Sequence, residues 1–353
     1  MAETPRSLGY VMPAEWEEHE ATWMSWPKDP NTFPAPILGE VELAFAAVVR
    51  SLAKGEEVRV VVDDEAAEAR ARGVIERTEN VRFLRLKTAD VWTRDYAPTC
   101  VRGPDVALVK WTFNAWGGKY DDLMPDDGAG RALARATGLR VWEPDVVLEG
   151  GSVDVNGLGT LLTTEQCLLN RNRNPGMGRA EIEGVLGDYL GARKVVWLGS
   201  GIEGDDTDGH VDDLARFVGP RTVAVAEEPD ASDPNHGALE EAASRLERAA
   251  DQDGRPLSVV RIPMPEPVLS DGGRLPASHL NFYIGNAAVV VPAFGSPSDR
   301  EAVAALEGFF PGREVVAVDC RSLVYGLGTI HCATQQVPAA PAGAPSGTTS
   351  RRP

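Results

Sequence analysis

The chain has 353 residues, of which 43% are hydrophobic, a share typical of globular proteins that leaves ample material for a buried core. It contains no run of about 18 apolar residues, the length that a membrane span requires, and residues 1–10 lack an apolar signal-peptide core. Its 35 basic and 53 acidic residues give a net charge of −18, which argues against a nucleic-acid partner and favours approach of a small cation. We therefore expect a cytoplasmic protein that binds neither membrane nor nucleic acid.

A helix-like segment followed by a short apolar strand recurs along the chain, and each strand leads into a loop. Apolar residues at helical spacing predict the helices, and β-branched runs predict the strands. The recurrence is structural, because no residue pattern repeats at a fixed period. In chain order, the predicted helix–strand pairs are residues 41–54 with 58–62, 65–77 with 81–86, 129–137 with 139–142, 179–190 with 195–198, 238–250 with 257–262, and 299–309 with 315–318.

Pairs of short strands follow several of these loops. This alternation predicts a single α/β domain over residues 1–338, with its polar loops meeting at one end of the fold. Residues 339–353 are dominated by Pro, Gly, Ala, Ser and Thr, a composition that predicts a disordered tail. The predicted hairpins join residues 151–155 to 159–163, 214–218 to 222–226, and 282–284 to 287–291.

Four polar loops contain the candidate functional residues. Taken singly, each loop has an ordinary explanation, because acidic runs cap helices or face solvent, and a Glu before two glycines satisfies backbone donors in a turn. In chain order, the loops hold Trp92 beside Arg94 and Asp95, Glu149 before Gly150 and Gly151, five aspartates around His210 in residues 205–213, and His331 and Cys332 after a Gly-rich turn at 326–328.

The four cysteines have no CxxC spacing, and in a reducing compartment we expect free thiols. Cys100, Cys167 and Cys320 each lie in or beside an apolar strand-like run, so they fit the role of small buried hydrophobes. Cys332 fits that role less well, because it follows a Gly-rich turn and a histidine. It is therefore the candidate nucleophile.

Together these residues meet the needs of guanidinium hydrolysis. Carboxylates match the N–H fork of this planar cation, and an aromatic side chain packs on its flat face. Its central carbon is a poor electrophile, so a strong nucleophile such as a thiolate is required. Cys332 would attack, and His210 would protonate the departing ammonia and then deprotonate the water that hydrolyses the covalent amidino thioether. The product is a ureido group, and neither metal nor organic cofactor is needed.

Other interpretations of the same residues remain open. A cysteine amide hydrolase explains Cys332 and His210 but leaves several carboxylates without a task. An inactive ligand-binding homologue is a third class. A metallohydrolase is weakened by the presence of only five histidines, none in an HxH or HExxH arrangement. Its candidate ligands would be His210, Asp212, Asp206, Asp208, His331 and Cys332.

The ordered motifs resemble those of the agmatine deiminase family, which is part of the guanidino-group-modifying superfamily together with bacterial-type peptidylarginine deiminases. The match extends from Met12 to Pro338. Its most specific segments are residues 12–17 with His19, 22–27, 92–96, 113–118, 149–152, 161–165, 172–175, 207–212 and 330–336.

The resemblance implies a five-bladed, pseudo-fivefold α/β propeller of repeated ββαβ units, with the active site on its central axis. It implies agmatine as the substrate, with N-carbamoylputrescine and ammonia as products. Deimination of another guanidino compound or of peptidylarginine is the alternative within the class. It also implies that two copies associate as a homodimer, as members of this group often do.

Roles for single residues follow from the matched motifs. The resemblance makes Cys332 the nucleophile, His210 the general acid and base, and Glu149 a contact of both the guanidinium and His210. Asp95 and Asp212 would bind guanidinium nitrogens. Two further residues complete the predicted substrate site: Trp92, which would line the pocket, and Asp208.

The chain departs from the family pattern in two places. The family has an Asp-Asn-Trp-Arg-like stretch where this chain has residues 29–34, and it has three glycines and an asparagine where this chain has residues 326–329. Neither segment contains a residue with a chemical role. We expect both segments to lie near the far end of the substrate.

Overall fold

Five strand–strand–helix–strand units make up the computed structural model, which describes residues 3–270 and 272–341. In each unit, two strands pair antiparallel, and a helix then leads to a third strand that is parallel to its neighbour. The structure is therefore α/β with mixed sheets, as the sequence predicts.

The strands are short, and most of their residues are buried. They are β1 (His19–Ser25), β2 (Glu57–Val62), β3 (Val81–Arg85), β4 (Thr99–Arg102), β5 (Val106–Val109), β6 (Val141–Trp142), β7 (Asp154–Val155), β8 (Thr160–Thr164), β9 (Lys194–Leu198), β10 (Ala215–Gly219), β11 (Thr222–Glu227), β12 (Ser258–Pro263), β13 (Leu269–Ser270), β14 (Gly273–Arg274), β15 (Tyr283–Ile284), β16 (Ala288–Ala293), β17 (Glu314–Asp319) and β18 (Gln335–Pro338).

Five of the six longer helices connect the second and third strands of the units, whereas α2 connects β2 to the additional strand β3 of the first sheet. The short helices lie in loops. They are α1 (Ala35–Leu52), α2 (Glu65–Ile75), α3 (Thr93–Tyr96), α4 (Ala115–Gly118), α5 (Asp126–Thr137), α6 (Glu165–Leu168), α7 (Arg179–Leu190), α8 (Pro234–Glu247) and α9 (Ser298–Phe309).

Five sheets share one strand order, and the first of them has β3 as an additional fourth strand. Within the described residues their strand orders are β18–β1–β2–β3, β4–β5–β6, β7–β8–β9, β10–β11–β12 and β15–β16–β17, and β13 with β14 forms a separate hairpin. The first sheet contains strands from both ends of the chain, since β18 pairs antiparallel with β1. The N-terminal unit is thus completed only by the C-terminal segment.

Helix α1 shows how the sequence builds a unit. Pro36 lies in its first turn, where a missing backbone N–H leaves no hydrogen bond unmade. Val41, Phe45, Val48 and Leu52 then recur at intervals of three or four residues and are all buried. This apolar stripe packs the helix into the largest of the three hydrophobic clusters, which also includes residues of β1 and β2.

Most of the predicted elements are confirmed, including α7 at residues 179–190 and the three predicted hairpins. Three antiparallel pairings of the described residues were not predicted: the β4–β5 and β13–β14 hairpins, and the pairing of β18 with β1. Of the predicted tail, residues 342–353 lie outside the described residues, whereas Ala339 still donates its N–H to the Glu18 carbonyl at 2.7 Å. Among the helices of the described residues, none is long and apolar enough to cross a membrane.

Candidate active site

The candidate residues lie in the loops that join the last strand of one unit to the first strand of the next. Parts of the chain that are distant in sequence are therefore brought together at one site. In chain order these junctions place Trp92 and Asp95 between β3 and β4, Glu149 between β6 and β7, His210 and Asp212 between β9 and β10, Asn281 between β14 and β15, and Cys332 between β17 and β18.

Asp95 lies in the short helix α3, and both of its carboxylate oxygens are held. Its Oδ1 accepts the backbone N–H of Gly151 at 3.0 Å, and its Oδ2 accepts the indole N–H of Trp116 at 3.0 Å. Burial, together with the charges of Asp212 and Glu149, raises the pKa of Asp95 despite the opposing charge of His210. The charge of a bound cation would lower the pKa of Asp95.

Trp116 was not assigned a role from the sequence, although its motif was noted. It lies in α4, where Ala115 and Trp116 both adopt positive φ angles of 51° and 53°. Such angles are unfavourable for residues with a β-carbon, and they often occur at functional sites. Here the strained turn places the Trp116 ring against Asp95 and on the cavity wall.

Glu149 is fully buried and faces two different cations. Arg173 Nε donates to its Oε1 at 2.8 Å, and its Oε2 lies 3.8 Å from Nε2 of His210. Burial alone would raise the pKa of Glu149, but the charges of Arg173 and His210 and the hydrogen bond from Arg173 outweigh burial and lower it. Glu149 is therefore ionised at neutral pH.

His210 is also fully buried, between two carboxylates. Its Nδ1 is 3.8 Å from Oδ1 of Asp95, and its Nε2 is 3.8 Å from Oε2 of Glu149. Neither ring nitrogen has a hydrogen-bond partner among the described residues. Burial would lower the pKa of His210, but the charge of Asp95 and the adjacent Cys167 and Glu149 raise it well above its usual value. The site thus holds an imidazolium with N–H groups left for a ligand.

Gly151 occupies the centre of this cluster, which explains the Glu-Gly-Gly motif. A β-carbon at this position would lie 2.5 Å from Nδ1 of His210 and 3.0 Å from one oxygen each of Asp95 and Asp212. Only glycine leaves space for these three side chains to converge.

The Cys332 thiol is buried and lies near a carboxylate and an amide. Asn281 Nδ2 donates to Sγ at 3.1 Å, and Sγ lies 3.8 Å from Oδ2 of Asp212. Burial and the charges of Asp212, Asp213 and Asp95 raise the pKa of Cys332 well above its usual value. In the free protein the group is therefore a neutral thiol.

Asn281 is the site residue that sequence reasoning missed. Its Oδ1 accepts hydrogen bonds from Thr329 Oγ1 at 2.7 Å, from the His331 N–H at 3.0 Å and from the Cys332 N–H at 3.3 Å. It fixes the loop that ends in the nucleophile. The only signal in the sequence was its position directly before the predicted strand 282–284, the place that the other site residues occupy in their units.

An open cavity of about 160 Å³ leads to this cluster. Its buried end is formed by Trp92, Asp95, Trp116 and Cys332, whereas Asp122 and other exposed residues form the mouth. Glu149, His210 and Asp212 are not on the cavity wall but are packed directly behind Asp95 and Cys332.

Both segments that depart from the family pattern line the cavity. They contribute Asp29, Asn31 and Thr32 from one side, and Gly326, Leu327 and Gly328 from the other. A β-carbon on Gly328 would lie 2.7 Å from the Trp92 ring and 3.1 Å from Cβ of Cys332. Glycine at that position therefore lets the indole and the nucleophile approach each other.

Asp208 makes contacts with other side chains and does not line the cavity. Its Oδ2 accepts from Asn172 at 2.8 Å and from Arg173, and its Oδ1 accepts from Lys119 at 2.9 Å. Burial would raise the pKa of Asp208, but these donors and the Arg173 charge lower it. Through Arg173, Asp208 is linked to Glu149.

The metal-ligand set considered from the sequence is not brought together. Ligand atoms of Glu149, Cys167 and His210 lie within 4.8 Å of one another, and so do those of Asp212, Asp213 and Cys332, which forms a separate group. His331 uses both ring nitrogens in carboxylate contacts. Cys167 is buried, as predicted, but it lies beside His210 rather than only among apolar side chains.

Known proteins resemble this chain over nearly its whole length. An agmatine deiminase of Stutzerimonas stutzeri (strain A1501) is 42% identical over an alignment of 364 residues that covers 96% of this chain and 98% of that protein. An agmatine deiminase of Pseudomonas aeruginosa (strain LESB58) is also 42% identical, with 95% of this chain and 97% of that protein covered. The structure of Enterococcus faecalis agmatine deiminase matches with a TM-score of 0.89 and 34% identity, covering 96% and 98% of the two chains.

The model of one protein family matches most of the sequence, including every junction loop of the site. Since that match extends over residues 11–338, the chain belongs to the Porphyromonas-type peptidyl-arginine deiminase family.

Proposed function

We propose that this chain hydrolyses the guanidinium group of agmatine to give N-carbamoylputrescine and ammonia. The observation that carries this proposal is the convergence of one thiol, one imidazolium and three carboxylates at, and directly behind, the buried end of an acid-lined cavity. These groups belong to Cys332, His210, Asp95, Asp212 and Glu149. The matched agmatine deiminases support the same activity.

The carboxylates are arranged to receive a planar cation. Asp212 Oδ1 and Glu149 Oε2 are buried and have no hydrogen-bond partner among the described residues, so each can accept a guanidinium N–H. Asp95 lies beside them, and the Trp92 ring forms part of the wall. Asp208 is then a positioning residue that holds Arg173 against Glu149.

The protonation states of the free site suit the first half of the reaction. The arriving cation offsets the negative charges that keep Cys332 protonated, so the thiol loses its proton to solvent and Sγ attacks the guanidinium carbon. The His210 imidazolium donates a proton to the departing nitrogen, which leaves as ammonia. Neutral His210 then takes a proton from water, whose oxygen displaces Sγ and leaves a ureido product.

The cavity wall favours a substrate with a cationic tail. It includes Asp29, Asp90, Asp122 and Asp206, and among the described residues that line it none is Arg, Lys or His. The carboxylate of free arginine would meet like charge here, whereas the terminal amine of agmatine would not. We expect kcat/KM for agmatine to exceed that for arginine by at least about a hundredfold.

We also infer that the five units are arranged around one axis as a five-bladed propeller. Each unit junction contributes to the same site, and β18 joins the last unit to the first. The family resemblance implies the same arrangement. Homodimer formation and a cytoplasmic location stay predictions.

The test is ammonia release from agmatine, arginine, small guanidines and an arginyl peptide. Cys332→Ala should abolish release yet retain agmatine binding, whereas Cys100→Ala, which changes a buried thiol outside the site, should leave turnover intact. Activity that disappears with a chelator would instead favour a metallohydrolase. A wild-type protein that releases ammonia from none of these compounds would refute the proposal.

A further inference from the structure

We propose that His331 is a positioning residue that, clamped between Glu15 and Asp212, keeps Asp212 ionised and turned toward the guanidinium. This inference rests on the proposed function. From the sequence, His331 was predicted only as a candidate metal ligand. The N-terminal motif at residues 12–17, which contains Glu15, had no predicted role.

The His331 ring is held between two carboxylates. Its Nδ1 lies 2.7 Å from Oδ2 of Asp212, and its Nε2 lies 2.8 Å from Oε2 of Glu15. All three side chains are buried. Each ring nitrogen therefore faces a carboxylate oxygen, and the ring links Asp212 to Glu15.

Glu15 is the fixed end of this clamp. Its Oε1 accepts from Arg216 Nη2 at 2.8 Å and from the Ile284 N–H at 2.9 Å, and Arg94 Nη2 lies 3.3 Å from its Oε2. Burial would raise the pKa of Glu15, but the charges of Arg216, His331 and Arg94 lower it well below its usual value. The carboxylate is thus held ionised by side chains from three different units.

The remaining charged groups around the clamp are also paired. Asp154 accepts from Arg216 Nε at 2.6 Å, and Arg94 Nε donates to the His331 carbonyl at 3.3 Å. The nearest further titratable ring, Tyr283, lies 6.5 Å from that of His331, centroid to centroid. No other charged partner of the His331 ring is present within the described residues.

The consequence for Asp212 is geometric. His331 occupies Oδ2, whereas Oδ1 is buried without a partner among the residues that the structure describes. The unoccupied oxygen is the one left for the substrate. In agreement with this, the hydrogen bond and charge of His331 outweigh burial and lower the pKa of Asp212.

Steady-state kinetics of His331→Asn over a pH series tests the proposal. Asparagine retains a donor near the position of Nδ1 but loses the contact with Glu15. We expect KM for agmatine to rise by at least about tenfold, and the acid limb of kcat/KM to move to higher pH, because Asp212 becomes easier to protonate. His331→Ala should be worse than His331→Asn, since it removes the remaining donor.

His279→Asn is the matched control. His279 is another buried histidine, and its nitrogens lie 2.7 Å from the Pro263 carbonyl and 2.8 Å from Asp299, away from the active site. This variant should lower Tm while the acid limb and KM stay as in wild type. If His331→Asn behaves in the same way, His331 is only structural and the proposal is overturned.

Binding separates this proposal from the proposed function. In a Cys332→Ala background, calorimetric titration with agmatine should show weaker binding when His331→Asn is added. The loss of affinity should be smaller at higher pH. That comparison needs no turnover. If agmatine binds equally well to both variants across the pH series, the positioning role fails even where the enzyme is active.

Discussion

Several carboxylates surround the Cys332 thiol, and their negative charges determine its protonation state before substrate binds. Asp212 Oδ2 is 3.8 Å away, and Asp213 and Asp95 add to the field. A cysteine nucleophile can be a standing thiolate, here paired with His210, or a thiol that ionises only when the cationic substrate arrives. The surroundings of the sulfur favour the second.

Alkylation of the free enzyme by iodoacetamide tests this state. Only the thiolate reacts, and because the pKa of Cys332 is raised, its fraction should be small at neutral pH and grow about tenfold per pH unit on raising the pH. Asp212→Asn removes a neighbouring negative charge, so it should lower that pKa and speed alkylation at a given pH while it impairs turnover. Cys332→Ala gives the background rate. An alkylation rate that is already high and constant from mildly acidic pH upward would contradict the prediction.

At the scale of elements, the loops between units determine the site, and Asn281 is the clearest case. It makes three acceptor contacts with the loop that ends at Cys332, and one donor contact with the thiol. Residues 326–332 of that loop contain one charged or titratable side chain besides the nucleophile, that of His331. Its conformation therefore depends on an amide supplied by a different unit.

Replacement of Asn281 should affect both stability and catalysis. Asn281→Ala leaves the buried Cys332 N–H and the Thr329 hydroxyl without the amide oxygen that accepts from them, whereas the His331 N–H keeps the Asn281 carbonyl at 3.0 Å. We expect this loss to lower the free energy of unfolding by about 1–3 kcal/mol. It also frees Sγ to move, so kcat should fall by at least about tenfold. Denaturant unfolding and steady-state kinetics measure the two effects.

Asn156→Ala is the control for that experiment. Asn156 is buried, its Oδ1 accepts the N–H groups of Leu158 and Thr160, and it lies outside the site. Its replacement should lower stability to a similar extent with kcat retained. If kcat is equally unaffected in Asn281→Ala, the amide does not position the nucleophile.

The same loops show how far the sequence could predict the elements. Helix α7 was predicted at its observed bounds because its ends are marked locally: Glu181 accepts the Gly178 N–H at 3.0 Å, and Gly191 adopts a φ of 76°. The β4–β5 hairpin was missed, because each of its strands has only four residues. Asn281 was missed because a neutral amide after a Pro-rich loop has no distinctive pattern, and its partners lie about fifty residues away.

For the whole molecule, the chemistry of the site was easier to predict than its construction. Cys332, His210 and the carboxylates were identifiable because each differs in charge or setting from its neighbours in sequence. The clamp behind Asp212 was not, since Glu15 and His331 meet only in the folded chain. The pairing of β18 with β1 has the same origin, because no local pattern relates segments from opposite ends of a chain.

That pairing makes the C-terminal strand part of the first unit, which leads to a prediction about truncation. Strand β18 pairs with β1 from Gln335 to Pro338, and Gln336 accepts from Arg94 Nη1 at 2.8 Å. A chain that ends at Pro341 retains all of these contacts, so its Tm and kcat/KM should equal those of the full chain. A chain that ends at Thr334 loses them and exposes the edge of β1.

The shorter chain should lose activity as well as stability, because Arg94 contacts both the His331 carbonyl and Glu15. Without Gln336, this buried guanidinium lacks one of its acceptors, and such a loss typically lowers stability by about 1–3 kcal/mol beyond the missing strand pairing. Thermal unfolding and ammonia release on both truncated chains measure the outcome. A chain that ends at Thr334 with the Tm and kcat/KM of the full protein would show that β18 closes the first sheet without stabilising it.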